Sequence, residues 1–294
     1  MHDYLVSVFL GIVEGLTEFL PVSSTAHLRL SESLLGIDLS NGFWKMYSIV
    51  IQLGAILSLP IYFWPRIVNF IKTFPRGERG NRTFTDHPIT LVMIAFVVTS
   101  GSAYLLTKKI GTNLENLYII GASLLIGGII MWIVDAVYGR IPAAGRYKTE
   151  HLEEMSIMQA IWIGICQIAS AVFPGTSRSM STIAAGQMVG MSRPSALEFS
   201  FFLSMPTMAA ATLYTLFRTL HPKGTTGVTA LGAMPSNGHE WIVLIIGFVV
   251  SFVVALGVVA WFMNWVRHRG FAPFAIYRII LGIAVLVWAG KFIG

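Results

Sequence analysis

The chain has 294 residues, of which 55% are hydrophobic and 12% charged, with a formal net charge of +6. A soluble domain carries roughly 25% charge, so this little cannot cover a water-facing surface and most of the exterior must face lipid. The positive balance comes from loop Lys and Arg, which favour anionic headgroups and set orientation rather than bind nucleic acid.

The N-terminus, Met1-His2-Asp3, has no basic cluster, and Glu14 interrupts the apolar run behind it, so no cleavable signal peptide is expected. Segment 5–35 is too polar for an ordinary span: it holds Glu14, Glu18, Pro21, Ser23-Ser24-Thr25, His27 and Arg29. A charge at mid-helix costs about 2.5–3.5 kcal/mol on insertion scales, and a proline removes a backbone donor. A re-entrant helix–loop–helix hairpin is therefore expected. Apolar runs at 46–64, 89–106 and 117–137 follow, each near the roughly 20 residues that cross a bilayer core. A second polar hairpin breaks at Pro174, and runs at 195–217, 241–263 and 274–291 complete the chain. No connection is long enough for a soluble domain, so residues 1–294 are expected to form one integral membrane domain. The single Cys166 cannot form an intrachain disulfide, and no Cys/His cluster has zinc-ligand spacing.

The two halves resemble each other at a shift of 153 positions. Gly11, Ile12, Pro21 and Ser24 fall on Gly164, Ile165, Pro174 and Ser177, and the three spans after the first hairpin fall on the three after the second. The fold class expected is an all-α polytopic membrane protein with pseudo-repeats at about 1–140 and 154–294. Each repeat is one re-entrant hairpin plus three transmembrane helices, giving six full spans. An odd number of spans inverts the second repeat, an arrangement that places polar sites at membrane depth. Loops at 65–88, 138–156 and 264–273 hold Arg66, Lys72, Arg76, Arg79, Arg82, Arg140, Arg146, Lys148, Arg267 and Arg269. The other side holds fewer: Arg29, Lys45, Lys108, Lys109, Arg218, Lys223 and Lys291. The positive-inside rule makes the first set cytoplasmic, so the first hairpin opens outward and the second enters from inside.

Glu14 and Glu18 are four apart, on one helix face, where two carboxylates repel unless a proton or a divalent cation lies between them. Mg²⁺ or Ca²⁺ would suit, because both take oxygen ligands and also bind phosphate. Ser23, Ser24, Thr25 and His27 offer hydroxyl nucleophiles beside an imidazole, or simply a helix N-cap after a proline break. Pro174-Gly175-Thr176-Ser177-Arg178-Ser179 looks like an anion cradle, with close backbone approach at Gly175 and a cationic fork at Arg178. The alternative is an arginine pairing with lipid headgroups. The pseudo-symmetry would bring both tips together, and Gln167 and Ala171 stand where the first hairpin has Glu14 and Glu18, so one asymmetric site is expected. Glu198 reads as part of a capping box with Ser195, Gln52 as interhelical glue or else a site residue, and Asp135 as a headgroup-facing span end. His2, His87, His151, His221, His239 and His268 are assigned nothing.

Gly11-Ile-Val-Glu-Gly-Leu-Thr-Glu-Phe-Leu-Pro-Val-Ser-Ser-Thr-Ala-His27, with Pro174-Gly-Thr-Ser-Arg-Ser179 and Thr182, resembles the undecaprenyl-diphosphate phosphatases of the bacitracin-resistance family. The resemblance covers essentially the whole chain. It implies a divalent-cation-stimulated enzyme of the bacterial inner membrane, with a periplasm-facing site that recycles the cell-wall lipid carrier. The family's paired acids fall on Glu14 and Glu18, which would also be the metal ligands, its nucleophilic serine on Ser24 and its histidine on His27. Its phosphate-binding arginine falls on Arg178. Ser23, Thr25, Gly175, Thr176, Ser177, Ser179 and Thr182 would contact the substrate. Ala26 and Met180 stand where the family usually has glycine, which puts local loop geometry in question. The partners expected are a polyprenyl diphosphate and the membrane lipids, with a homodimer left open and no nucleic acid. A lipid-phosphate transporter or flippase is the rival, since broken helices facing an anion also serve transport. A phosphatase of the acid-phosphatase type needs a second His and an Asp after its Ser-Arg, and neither follows Arg178 at suitable spacing.

Overall fold

The computed structural model describes residues 2–38, 41–77, 80, 83–106, 116–139, 147–221 and 232–292. The loop cations Arg79, Arg82, Lys108, Lys109, Arg140, Arg146 and Lys223 lie outside the described residues, as does the Lys291 side chain. The described residues are mostly helical, with no β-strand among them. In chain order the helices are α1 (His2–Thr17), α2 (Ser24–Leu34), α3 (Gly42–Tyr62), α4 (Trp64–Thr73), α5 (Pro88–Leu105) and α6 (Leu117–Tyr138). Then come α7 (Ile157–Val172), α8 (Arg178–Met188), α9 (Arg193–Leu220), α10 (Gly238–His268) and α11 (Ala272–Phe292). The protein is thus an all-helical, multi-pass membrane protein. Among the described residues, five helices are long and apolar enough to cross a membrane: Gly42–Tyr62, Leu117–Tyr138, Arg193–Thr219, Gly238–His268 and Ala272–Gly290. The apolar stretches Pro88–Ala103 and Ile157–Val172 are shorter.

Local chemistry sets the helix ends. α1 stops at Thr17, four residues before Pro21, whose ring would clash with that carbonyl. Asn116 caps α6 by accepting the amides of Tyr118 and Ile119, and Ser156 and Gln159 form a capping box on α7. Ile126, Ile133, Ile280, Ile283 and Val287 stand exposed along α6 and α11. In water such a patch would be an aggregation liability; here it is lipid contact.

The chain divides into two compact units. The first comprises Met1–Phe19, Ser24–Tyr62 and Ser204–Ala260. Its core packs Val6, Leu10, Leu28, Tyr47, Ile51, Val243 and Leu244. Tyr47 donates to the Ser7 carbonyl at 2.9 Å, and Ser7 Oγ donates to the Val243 carbonyl at 2.6 Å. Glycines let α1 lie on α10: a Cβ at Gly11 would sit 2.9 Å from the Gly247 carbonyl, and one at Gly15 2.7 Å from that of Ser251. Lipid tails are as apolar as leucine, so such close backbone approach, rather than water exclusion, holds membrane helices together.

The second unit comprises Leu20–Ser23, Phe63–Leu203 and Trp261–Gly294. Here α7 lies on α5 through Gly164, where a Cβ would sit 2.7 Å from the Ala95 carbonyl, and Thr99 donates to the Gly164 carbonyl at 2.9 Å. Helices α6 and α11 cross antiparallel on glycine. A Cβ at Gly128 would meet the Ala275 carbonyl at 2.9 Å and Ile279 at 2.9 Å; one at Gly282 would meet the Gly121 carbonyl at 2.9 Å and Leu125 at 2.6 Å.

Two side chains depart from expectation. Asp135 does not face headgroups: it is buried, accepting from Arg193 Nε at 2.7 Å, Gln187 Nε2 at 3.2 Å and the Phe271 amide at 3.0 Å. The end of α6 is covered by protein, so its carboxylate serves as an internal partner. No Ser195–Glu198 capping box forms; Ser192 Oγ takes the Ser195 amide, and Glu198 accepts Arg66 Nε at 2.9 Å. Arg66 also meets Glu153 at 2.6 Å. Burial pulls the Arg66 guanidinium down, but Glu198 and Glu153 outweigh it and hold it above the ordinary arginine value. Gln52 does bond between helices as expected, donating from α3 to Glu18 at 3.3 Å.

Candidate active site

In the first unit, Glu14 is fully buried on α1, and the backbone continues one more turn, with the Glu18 amide donating to the Glu14 carbonyl at 2.9 Å. The pair therefore keeps the helical i,i+4 relation expected of it. Ser24 opens α2, and its Oγ donates to Glu18 Oε2 at 2.5 Å. Gln52 of α3 donates to the same oxygen at 3.3 Å. Glu18 is thus held by two donors from different helices, with the Ser24 proton aimed at it. A hydroxyl hydrogen-bonded to a buried carboxylate is an arrangement that can serve as a nucleophile with its base. His27 lies one turn further along α2, half-buried, and Thr25 is likewise half-buried. Deeper on the same helix, Glu32 is buried and paired with Arg29 at 2.9 Å, and Ser48 donates to it at 2.6 Å, so it is a structural acid.

In the second unit, the tip of the first hairpin and the break of the second lie together. Ser179 Oγ, at the start of α8, donates to the Leu20 carbonyl at 3.0 Å. Ser177 caps α8 by accepting the Met180 amide, and its Oγ is 3.0 Å from that of Ser179. Arg178, the first residue of α8, is half-buried and donates to the Ser200 carbonyl at 3.4 Å. Thr182 is buried, 2.6 Å from Ser200 Oγ, and props α8 against α9. Gly175 has φ +93 and its missing side chain lets the loop press on α6, where a Cβ would sit 2.7 Å from the Ile120 carbonyl. Half-buried Thr176 follows it. A helix N-terminus, hydroxyls and a guanidinium at one chain break are groups that can together hold an anion.

Among the described residues, the non-glycine positions with positive φ are Ser23 (75°) and Ser177 (71°), each directly before a half-helix. Such a conformation costs about 1–3 kcal/mol and persists at functional sites where the surroundings impose it. Ala26 and Met180 lie inside the first turns of α2 and α8, so neither needs glycine's freedom. Met180 instead packs against Gly127, where a Cβ would sit 2.9 Å from its methyl.

One residue escaped the sequence reading. Arg278, on α11, is fully buried, and its guanidinium donates to the carbonyls of Pro21, Gly175, Thr176 and Ser123 at 2.9–3.2 Å. The available signal was a lone arginine inside the apolar run 274–291, and an ionisable residue at membrane depth is functional by default.

The family described as "Bacitracin resistance protein BacA" matches residues 7–284. The chain is 62% identical to the undecaprenyl-diphosphatase of Koribacter versatilis (strain Ellin345), over 99% of this chain and 100% of that protein. It is 40% identical to the undecaprenyl-diphosphatase of Rhizobium etli (strain CIAT 652), over 97% of this chain and 96% of the other. A third relative, the undecaprenyl-diphosphatase of Caldanaerobacter subterraneus subsp. tengcongensis, is 37% identical over the same shares, 97% and 96%.

Proposed function

We propose that this chain, which belongs to the bacitracin resistance protein BacA family, hydrolyses undecaprenyl diphosphate to undecaprenyl phosphate and inorganic phosphate, recycling the cell-wall lipid carrier and conferring bacitracin resistance. The Ser24–Glu18 hydrogen bond carries the reading, because a transporter needs an anion cradle but not a nucleophile aimed at a buried base. Arg178, with Ser177, Ser179 and the amides of α8, is assigned to the phosphates. Ser23, Thr25, Gly175, Thr176 and Thr182 line or brace the two hairpin tips.

In the mechanism proposed, Ser24 Oγ attacks the terminal phosphorus as its proton passes to Glu18. The bridging oxygen leaves with undecaprenyl phosphate, and water then cleaves the phosphoserine to free orthophosphate. His27 is the second proton carrier. Rate would come mainly from positioning and charge neutralisation. Glu14 and Glu18, one helical turn apart, would supply the hard oxygen donors for Mg²⁺ or Ca²⁺. Among the described residues no group of three His, Cys, Asp or Glu is gathered. When bound, the ion would neutralise phosphate charge.

The site is proposed to open toward the periplasm in the inner membrane, within an inverted repeat of six spans. Contacts at an offset of 154 support the inversion. Gly128 meets Ala275 and Ile279 while Gly282 meets Gly121 and Leu125, each pair being the other displaced by 154. Reciprocal contacts of this kind are the mark of a two-fold relation, and antiparallel equivalent helices imply opposite topology. Ser23 and Ser177 share the offset, as do the starts of α2 and α8. The sixth span would be α5, whose 18 residues reach about 27 Å.

The test is phosphate release from undecaprenyl diphosphate by detergent-purified protein, with Mg²⁺, Ca²⁺ or chelator, beside Glu18→Gln and Arg178→Ala. Cation-stimulated release, lost in both variants, is expected; no release by folded wild-type protein would recast these residues as a transporter's binding site.

A further inference from the structure

Among the described residues, Arg278 is a buried cation bonded only to neutral groups. Its Nη1 donates to the Pro21 carbonyl at 3.0 Å, and Nη2 to those of Gly175 at 3.0 Å, Thr176 at 2.9 Å and Ser123 at 3.2 Å. No carboxylate among the described residues pairs with it, and Nε has no partner. A fold that merely needed a stable helix here would carry an apolar residue, since an uncompensated charge is expensive at membrane depth. The position 154 residues earlier, on α6, holds Leu124, which is buried in the ordinary apolar way.

What the guanidinium holds is specific. Pro21 and Gly175 are themselves 154 apart, so the two carbonyls are equivalent points on the two hairpin tips. Pro21 lies two residues before Ser23, and Gly175 two before Ser177, the residues with positive φ. Directly after them come Ser24 and Arg178. One planar fork thus grips both chain breaks just upstream of the groups that do the proposed chemistry, a grip a lysine could not reproduce with its single ammonium. The space is made by Gly127, where a Cβ would overlap Nη2.

We infer that Arg278 is a positioning residue for the hydrolysis: by tying the two hairpin tips together it fixes the starts of the half-helices that carry Ser24 and Arg178. The inference rests on the phosphatase reading of those two residues. Arg278 itself donates no proton to the substrate and needs no contact with it.

The experiment uses full-length Arg278→Lys and, as a gentler perturbation, Gly127→Ala, which leaves the arginine in place but crowds its guanidinium. Kinetics per folded molecule are measured on undecaprenyl diphosphate, and hydrogen–deuterium exchange is followed at residues 20–24 and 175–178. A loss of alignment predicts kcat lower on the order of 10²-fold in Arg278→Lys with KM changed less than about threefold. Exchange should quicken at both tips together and not along the rest of α6 and α11, and Gly127→Ala should show a smaller change of the same kind. Unchanged kcat per folded molecule in both variants, or tip exchange equal to wild type, would overturn the inference. If wild-type protein releases no phosphate, the hydrolase reading fails by itself, and tip exchange still decides whether Arg278 holds the two tips.

Discussion

The Ser24–Glu18 contact separates two chemical routes through a double-mutant cycle. General-base assistance contributes roughly 10²–10⁴-fold, about 2.7–5.4 kcal/mol. If Glu18 acts by taking the Ser24 proton, Ser24→Ala and Glu18→Gln each forfeit the same step, and the double variant is about as slow as the worse single one. Independent roles would multiply instead, to roughly 10⁴–10⁸-fold. Folding should tolerate both changes. A glutamine amide at 18 can still accept from Ser24 Oγ, and removing that hydroxyl leaves Gln52 on the Glu18 oxygen. The assay is phosphate release from undecaprenyl diphosphate by the four proteins, normalised to the monodisperse fraction. Ser24→Ala at wild-type rate beside a dead Glu18→Gln would refute the phosphoserine route and leave water as the nucleophile with Glu18 as its base.

Other expectations follow from the packing. Asp135→Ala strands Arg193, Gln187 and the Phe271 amide; breaking a buried pair of this kind costs about 3–5 kcal/mol, reduced here because Arg193 is partly exposed, so thermal melting in detergent should fall by several degrees. Gly128→Ala and Gly282→Ala should each destabilise by about 1–3 kcal/mol, and by similar amounts if the two-fold relation holds; one neutral and one severe variant would argue against it. For topology, Ser236→Cys in a Cys166→Ala background should react with an impermeant maleimide on intact cells, and Glu150→Cys only after lysis. The reverse pattern would turn the proposed orientation over.

Much of this arrangement was legible in the sequence because it follows from composition and period. A carboxylate pair at 14 and 18 inside an apolar run, and prolines at 21 and 174, leave few structures open. What escaped depends on partners far along the chain. Arg278 lies in a run whose mean character is apolar, and nothing local says that its side chain reaches the tips at Pro21 and Gly175. Glu198 sits at a spacing that suits a capping box, yet Arg66, 132 residues away, takes it instead. Gln52 could not be assigned to Glu18 without knowing how α3 lies beside the end of α1. Gly11 and Gly164 are 153 apart, but the two serines with positive φ, Ser23 and Ser177, are 154 apart, so the proposed repeat would pair Ser24 in sequence with Arg178 rather than Ser177. Loop breaks absorb an extra residue without disturbing helix packing, so a repeat read across them drifts.

The most direct test is product analysis by ³¹P NMR of undecaprenyl diphosphate incubated with purified wild-type protein and Mg²⁺. One orthophosphate should appear for each undecaprenyl phosphate, with no inorganic diphosphate. Intact substrate after incubation with folded protein, or release of inorganic diphosphate, would contradict the hydrolysis assigned to Ser24, Glu18 and Arg178.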